Sequence, residues 1–243
     1  MAVSGTRLYR PADFPDALPL PDQKYDTRVE VTNETTLAAA KRLVDEGVDD
    51  IICLNFASAK NPGGGFLGGA RAQEESLARS SALYASIAPQ QEMYEFNRQQ
   101  RTCLYSDYMI HSPNVPVFRD DGGRLLEDPY RASFLTSPAV NAGALRRNEP
   151  DKVPFIESTM TLRTEKVLWV MESQQQSTLV LGAWGCGVFR NDSSMVAGLF
   201  FDALSTKFAG RFARVVFAVY DTSSDQSIIR AFQGARLTAP AAR

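Results

Sequence analysis

An α/β fold is predicted for this chain, with a mostly parallel or mixed sheet covered by helices on both faces. Three observations predict it. Strand-like and helix-like runs alternate over most of the 243 residues, the pattern that layers helices on a sheet. The run at residues 50–56 is densely apolar rather than alternating, which suits a strand buried on both faces. Two glycine-rich loops follow apolar runs and open helices, in the place where such sheets bind ligands, beyond the carboxyl ends of their strands.

The elements follow in order. Residues 1–24 carry Pro11, Pro15, Pro19 and Pro21, which prevent a regular helix and favour an extended arm over the surface, so the folded domain is read as residues 25–243. A strand is expected at 27–31 and a helix at 35–46, with Asn33 or Thr35 able to cap it. The buried strand 50–56 runs straight into the first glycine loop, and a helix is expected from 73 to 87. Strands are suggested at 107–111, 115–118 and 133–136, in a less regular region containing Pro and Gly. A surface helix at 157–172 precedes the apolar strand 177–182. The second glycine loop, residues 182–192, opens a helix at 192–208, and a strand at 215–220 and a helix at 224–232 close the order.

Composition narrows the function. With 44% apolar residues the chain can bury one sizeable core, and one domain is favoured over two. A net charge of −2 and a pI near 5.6 argue against a broad basic face that tracks nucleic-acid phosphates, so no nucleic-acid groove is expected. Cys53, Cys103 and Cys186 are odd in number and far apart, which suggests neither a disulfide framework nor a zinc cluster; they read as buried thiols in a reducing compartment. The one histidine, His111, excludes a multi-histidine metal site and reads as a structural residue at a strand end. No metal or cofactor is expected. No apolar run approaches the roughly 18 residues of a membrane span, and the N-terminus lacks a signal-peptide layout. A cytoplasmic monomer is expected.

The chemistry concentrates at residues 61–75, which hold five glycines, Arg71, and the adjacent pair Glu74 and Glu75. Glycines let backbone approach a ligand closely, and a following helix N-terminus welcomes an anion. The loop lacks the Lys and Ser/Thr of a phosphate-binding lysine loop, so a nucleoside triphosphatase is not indicated. Gly63, Gly65 and Gly68 match a dinucleotide spacing, but the acid such a site needs about 20 residues on would fall in Gln90-Gln91-Glu92 with no strand before it. A redox cofactor is therefore the weaker reading. Neighbours on a helix point about 100° apart, so Glu74 and Glu75 cannot flank a sugar as opposed carboxylates do. Different jobs are expected of them: one to accept from a ribose hydroxyl, the other to reach the scissile bond. The second loop supplies another glycine cradle, and together the two make a diphosphate clamp.

Gly63-Gly64-Gly65 followed by Gln73-Glu74-Glu75 resembles the signature of the microbial-type poly(ADP-ribose) glycohydrolase family. The resemblance extends through residues 54–58, the second loop and residues 217–221, covering roughly 25–235. It implies a macrodomain-like three-layer sandwich, a mixed central sheet with helices on both faces. It also implies a substrate, poly(ADP-ribose) or ADP-ribose, with the diphosphate between the two loops. By this resemblance Glu75 protonates the departing 2′ oxygen of the ribose–ribose linkage and then activates water, for which it must hold a proton near neutral pH. Glu74 would orient ribose hydroxyls and Gln73 would support that geometry. Asn55 and Asn61 would offer amides to the terminal ribose, with Ala57, Ser58, Gly63, Gly64 and Gly65 presenting backbone beside it. Gly185, Cys186, Gly187 and Val188 would meet phosphates through main-chain N–H groups, and Phe189 would pack against ribose or adenine. Asn33, Glu34 and Tyr220 are candidates for adenine by position, with capping and core roles open to them equally. Cys186 is not read as a nucleophile, because no base is identifiable nearby. The expected activity is release of ADP-ribose from polymer ends. A non-catalytic ADP-ribose reader, and a hydrolase of another ADP-ribosyl linkage to protein, nucleobase or ester, stand as alternatives.

Overall fold

The computed structural model describes residues 2–15 and 23–235. Among these, seven strands form one sheet in the order β1-β4-β5-β3-β6-β7-β2. They are β1 (Arg7–Tyr9), β2 (Arg28–Thr32), β3 (Ile51–Phe56), β4 (Met109–Arg119), β5 (Leu125–Ser137), β6 (Thr178–Leu181) and β7 (Arg214–Ala218). The helices are α1 (Thr36–Asp45), α2 (Gln73–Ser80), α3 (Leu83–Ile87), α4 (Gln91–Gln99), α5 (Ala142–Asn148), α6 (Ile156–Ser173), α7 (Ser193–Ser205) and α8 (Ser227–Gly234). From β5 to β2 the sheet is parallel, while β1, β4 and β5 pair antiparallel. The sheet is mixed, as expected.

Strand periodicity builds the three layers, since successive side chains point to opposite faces. Ile52 and Leu54 of β3 join Leu179, Leu181, Val215 and Phe217 in a core closed by α6, α7 and α8. Ile51 and Cys53 point the other way, with Val180 and Val216, into a core closed by α1 to α4. β3 is therefore covered on both faces, which is why its sequence does not alternate. Its carboxyl end at Phe56 lies in the middle of the sheet and delivers the chain into the first glycine loop.

Several expectations are corrected. The single helix expected at 73–87 is two. Ser81 takes an extended conformation (φ −141°, ψ 172°), its hydroxyl donates to the Leu77 carbonyl at 2.7 Å, and it bridges to Val117 of β4. A side chain bonding back onto its own helix competes with continuing that helix. The two strands expected between 107 and 118 are one, β4, whose register shifts between Ser112 and Val115 around Asn114 at φ +50°. It pairs with a β5 far longer than expected. Helices α4 and α5 were not anticipated. α6 is not a surface helix, since Met160, Val167, Leu168, Val170 and Met171 are buried in the core. The N-terminal segment does not simply lie over the surface: residues 7–9 are an edge strand on β4, and the Tyr9 and Phe14 rings pack with Trp169 of α6. Residues 16–22, with Pro19 and Pro21, lie outside the described residues. His111 is buried within β4 opposite Arg7, and burial holds its imidazole down at about 4. All three cysteines are free thiols, Cys53 fully buried and the other two half-buried. Among the described residues no helix is long and apolar enough to cross a membrane.

Phe217 holds the floor beneath the functional end of the sheet, with ring centroids of Phe201, Phe232 and Phe200 at 5.0, 5.5 and 5.8 Å. Phe217→Ala is expected to cost about 3–5 kcal/mol. At roughly 2–4 °C per kcal/mol for a chain of this length, a thermal melt should register a fall in Tm of about 6–20 °C.

Candidate active site

A cleft of about 620 Å³ opens at the carboxyl ends of the parallel strands. On one side it is lined by Phe56, Ser58, Arg71 and the first turn of α2, on the other by Gly185, Gly187, Val188 and Phe189, and Val219, Tyr220 and Ile228 close a third side. The end of β3 and the start of α2, which flank the first loop, thus share one cavity with the second loop, while none of the first loop's glycines lines it.

The first loop is built around the two glutamates. Glu74 is 2% exposed, and a buried carboxylate needs donors. It accepts from the N–H of Ser58 at 2.6 Å, the N–H of Gly63 at 3.2 Å and the Asn55 amide at 3.4 Å. Glu75, 9% exposed, accepts from the N–H of Gly65 at 3.0 Å through Oε1. Between these donors sits Gly64 at φ +60°, where an added Cβ would stand 2.2 Å from Oε1 of Glu75 and 3.2 Å from Oε2 of Glu74. The triple glycine therefore does two things for the carboxylates: its outer members donate to them and its middle member makes room. Gln73 fixes the helix that carries them. Its Oε1 accepts from the Phe56 N–H at 2.9 Å, and its Nε2 donates to the Leu54 carbonyl at 2.8 Å and to Thr36 at 3.0 Å. The start of α2 is thereby clamped to the end of β3.

This changes the assignment of the first loop. The N–H groups of residues 63–65 were expected to face a ligand; those of Gly63 and Gly65 are spent on the glutamates and that of Gly64 on the Asn61 carbonyl. The Ala57 N–H donates to Ser137. Asn55 is fully buried and bonded to Glu74 and Thr136, so it positions Glu74 instead of meeting the cleft. Neither Asn55 nor Asn61, Ala57 or Gly63 to Gly65 is among the residues lining the cleft. Ser58, Gln73, Glu74 and Glu75 are.

The second loop has donors to spare. The main-chain N–H groups of Gly185, Gly187, Val188 and Phe189 find no acceptor among the described residues, and all four residues line the cleft. Cys186 differs, because its N–H donates to Ala183 and its side chain lines a smaller cavity behind the loop with Arg146 and Arg190. Burial pushes its thiol up to about 12, which removes it from nucleophilic chemistry. The loop is held in place by Asn191, whose amide donates to Val140 at 2.7 Å and Gly185 at 3.2 Å. Gly185, at φ +73°, has no room for a Cβ, which would lie 2.6 Å from both Ala139 and Asn191.

Of the adenine candidates only Tyr220, 65% exposed, lines the cleft. Asn33 is bonded in both directions to the Asp221 backbone at 3.0 Å, and Glu34 is paired with Arg42 at 2.7 Å. The structure adds Arg71, Arg79, Thr35, Asp121 and Ile228 to the walls. Arg79 lies one helical turn beyond Glu75, a spacing that could have flagged it; Asp121 and Ile228 come from distant segments and carry no local signal. Among the described residues no group of three or more His, Cys, Asp and Glu is placed to hold a metal ion.

Comparison with solved structures gives this geometry a family. Poly(ADP-ribose) glycohydrolase from Deinococcus radiodurans, solved in complex with ADP-ribose, is 47% identical over 96% of this chain and 94% of its own, with a TM-score of 0.91. The chain belongs to the microbial-type poly(ADP-ribose) glycohydrolase family. The glycohydrolase of Thermomonospora curvata is 53% identical, covering 96% of this chain and 86% of its own with a TM-score of 0.90; its complex with the inhibitor ADP-HPD has a TM-score of 0.87. The family model for the microbial-type PARG catalytic domain matches residues 1–120, the half that contains the first loop and both glutamates. No curated protein matches the chain. The fold is that of the glycohydrolase family, and the sandwich inferred from the glycine and glutamate signature is correct.

Burial raises the Glu74 carboxyl to about 8; the neighbouring Glu75 adds to the rise, and the three donors oppose it. Because the folded-state value lies above the unfolded one, the folded protein holds the extra proton between the ordinary carboxylate range and about 8, and stability falls as pH rises through that window. Relative to Glu74→Gln, which has no proton to lose, the wild-type Tm is expected to drop between about pH 5 and 8. A constant difference across that range would mean that the donors keep Glu74 ionised throughout.

Proposed function

We propose that the protein hydrolyses the ribose–ribose O-glycosidic bond of poly(ADP-ribose), releasing ADP-ribose from polymer ends. The observation that carries this reading is the placement of Glu75. Its carboxyl lines the cleft with one oxygen bonded to Gly65, while its neighbour Glu74 is committed to three donors. A group that must give and then take a proton needs an uncommitted oxygen, and a group that orients hydroxyls needs a fixed position.

In the proposed reaction the terminal ADP-ribose lies with its diphosphate against the free N–H groups of the second loop, which supply fixed dipoles to the anion. Its adenosine end is toward Val219, Tyr220 and Ile228, and its distal ribose rests above Glu74. Glu75 protonates the 2′ oxygen of the preceding unit as the bond from C1″ to that oxygen breaks, leaving an oxocarbenium-like ribose. Water then adds to C1″ and gives its proton to the Glu75 carboxylate, restoring the acid. Both glutamates meet the same loop rather than facing each other across the sugar, so one carboxyl serves in both half-reactions. A cleft of about 620 Å³ walled by the second loop, the start of α2 and residues 219–220 supports binding at a chain end.

Glu75→Gln is expected to lower ADP-ribose release from polymer by about 10²–10⁴-fold, the usual worth of a general acid/base, while calorimetry still shows ADP-ribose binding. Turnover at the wild-type rate would exclude Glu75 from the chemistry. Assaying mono-ADP-ribosylated protein and modified nucleic acid alongside polymer separates this activity from hydrolysis of other ADP-ribosyl linkages. Gly64→Ala should match the loss seen in Glu75→Gln, because the new Cβ would occupy the space of Oε1 of Glu75; circular dichroism should show the fold intact.

A further inference from the structure

Phe189 lines the cleft from the second loop, and what holds its ring is not part of that loop. The ring of Tyr105 lies 6.1 Å away, tilted by 47°, an arrangement in the range of favourable aromatic pairs. Tyr105 is at φ +59°, a left-handed conformation that costs a bulky residue energy and persists only where the surroundings over-determine it. The surroundings here do so. Arg163 of α6, 1% exposed, donates to the Tyr105 carbonyl at 3.2 Å and to the Pro138 carbonyl at 3.1 Å. Its guanidinium is neutralised by Asp107 at 2.8 Å, and Asp107 also binds Lys166. The segment that carries Tyr105 is tied to α5 as well, since the Asn141 N–H donates to the Cys103 carbonyl at 2.9 Å. Asn141 caps α5, accepting from Ala144, and the next turn sends the Gly143 N–H to the Phe189 carbonyl at 2.9 Å.

One buried ion network therefore sets the strained residue, and the strained residue sets the aromatic wall of the cleft. We propose that Tyr105 is a positioning residue for ligand binding, acting through Phe189: it fixes the ring of Phe189 in the orientation that packs on the bound ADP-ribose unit. This rests on the reading of the cleft given under Proposed function. The role is separate from proton transfer, because Tyr105 is not among the residues lining the cleft and Glu75 belongs to the opposite wall. Loss of the contact should thus weaken binding and leave the chemical step alone.

A double-mutant cycle tests this, with Tyr105→Ala, Phe189→Ala and the pair measured for ADP-ribose Kd and for KM and kcat on polymer. Tyr105→Ala is expected to raise Kd and KM about three- to tenfold, the worth of an aromatic pair, with kcat within about twofold of wild type. Tyr105→Phe should restore most of the affinity, and in the Phe189→Ala background Tyr105→Ala should add nothing. Tyr105→Leu, which keeps the buried volume, replaces Tyr105→Ala in the cycle if the alanine variant does not fold. Equal losses from the tyrosine substitution with and without the Phe189 ring would overturn the proposal and leave the functional reading standing. A Phe189→Ala variant with unchanged Kd would likewise overturn the proposal, whereas wild-type turnover by Glu75→Gln would overturn the functional reading instead.

Discussion

Two carboxylates side by side at the start of a buried helix are the constraint from which the rest of this site is built. A carboxylate taken out of water is costly unless it finds donors, and two neighbours also repel each other. The start of α2 meets this demand with backbone, using the N–H groups of Ser58, Gly63 and Gly65. Backbone donors can converge so closely only where side chains are absent, and the space around Gly64 shows that a single methyl would displace Glu75. The loop, the helix start and the end of β3 must then hold a common register. Gln73 enforces it by bonding one edge of the β3 end twice, at the Leu54 carbonyl and the Phe56 N–H. Glycine triplet and Gln-Glu-Glu are thus one structural unit, although seven residues separate its halves.

That unit was legible in the sequence as a unit, but its internal wiring was not. Glycines beside acids suggested a cradle for a ligand anion, and the anion they cradle is the protein's own. The second loop matches the expected role more closely, since its N–H groups at Gly185, Gly187, Val188 and Phe189 are unspent among the described residues. The difference lies in the side chains just beyond each loop. After the first come acids that turn back into it; after the second comes Asp192, whose side chain is used to cap α7 at Met195 and so makes no demand on the loop.

The parallel half of the sheet was readable because each strand is short, apolar and separated by an amphipathic helix. The antiparallel half was not. β4 contains Pro113 and Pro116, and proline inside an apolar run reads as a break; here Pro113 falls in the register shift and Pro116 stays in the ladder opposite Arg131. α5 is seven residues, too short for periodicity to register, and is capped by Asn141 in a stretch that reads as a loop. Tyr9 appeared to belong to a proline-rich arm, yet it is buried against Trp169 by a contact spanning most of the chain, which no local pattern announces. The same holds for Arg163. On a helix read as lying at the surface it passes for a solvated charge, and only the fold brings Asp107 to it.

Electrostatic coupling ties the division of labour between the glutamates to their adjacency. The charge on Glu75 is one cause of the raised proton affinity of Glu74, so Glu74 ionises more readily whenever Glu75 holds a proton. Double ionisation of the adjacent pair is therefore disfavoured, with burial the larger cause and the charge on Glu75 the smaller. In the reaction proposed above, positive charge would develop on the ribose next to both carboxylates as Glu75 gave its proton to the departing oxygen, offsetting the repulsion that would otherwise return. When water then gave its proton to Glu75, that positive charge would disappear together with the second negative one. The buried, triply bonded Glu74 need not move at any stage, since its three donors are already in place. Adjacency on the helix rules out the opposed arrangement of two carboxylates, and in the proposed reaction it leaves one carboxyl to serve both half-reactions, giving one proton to the leaving oxygen and taking another from water.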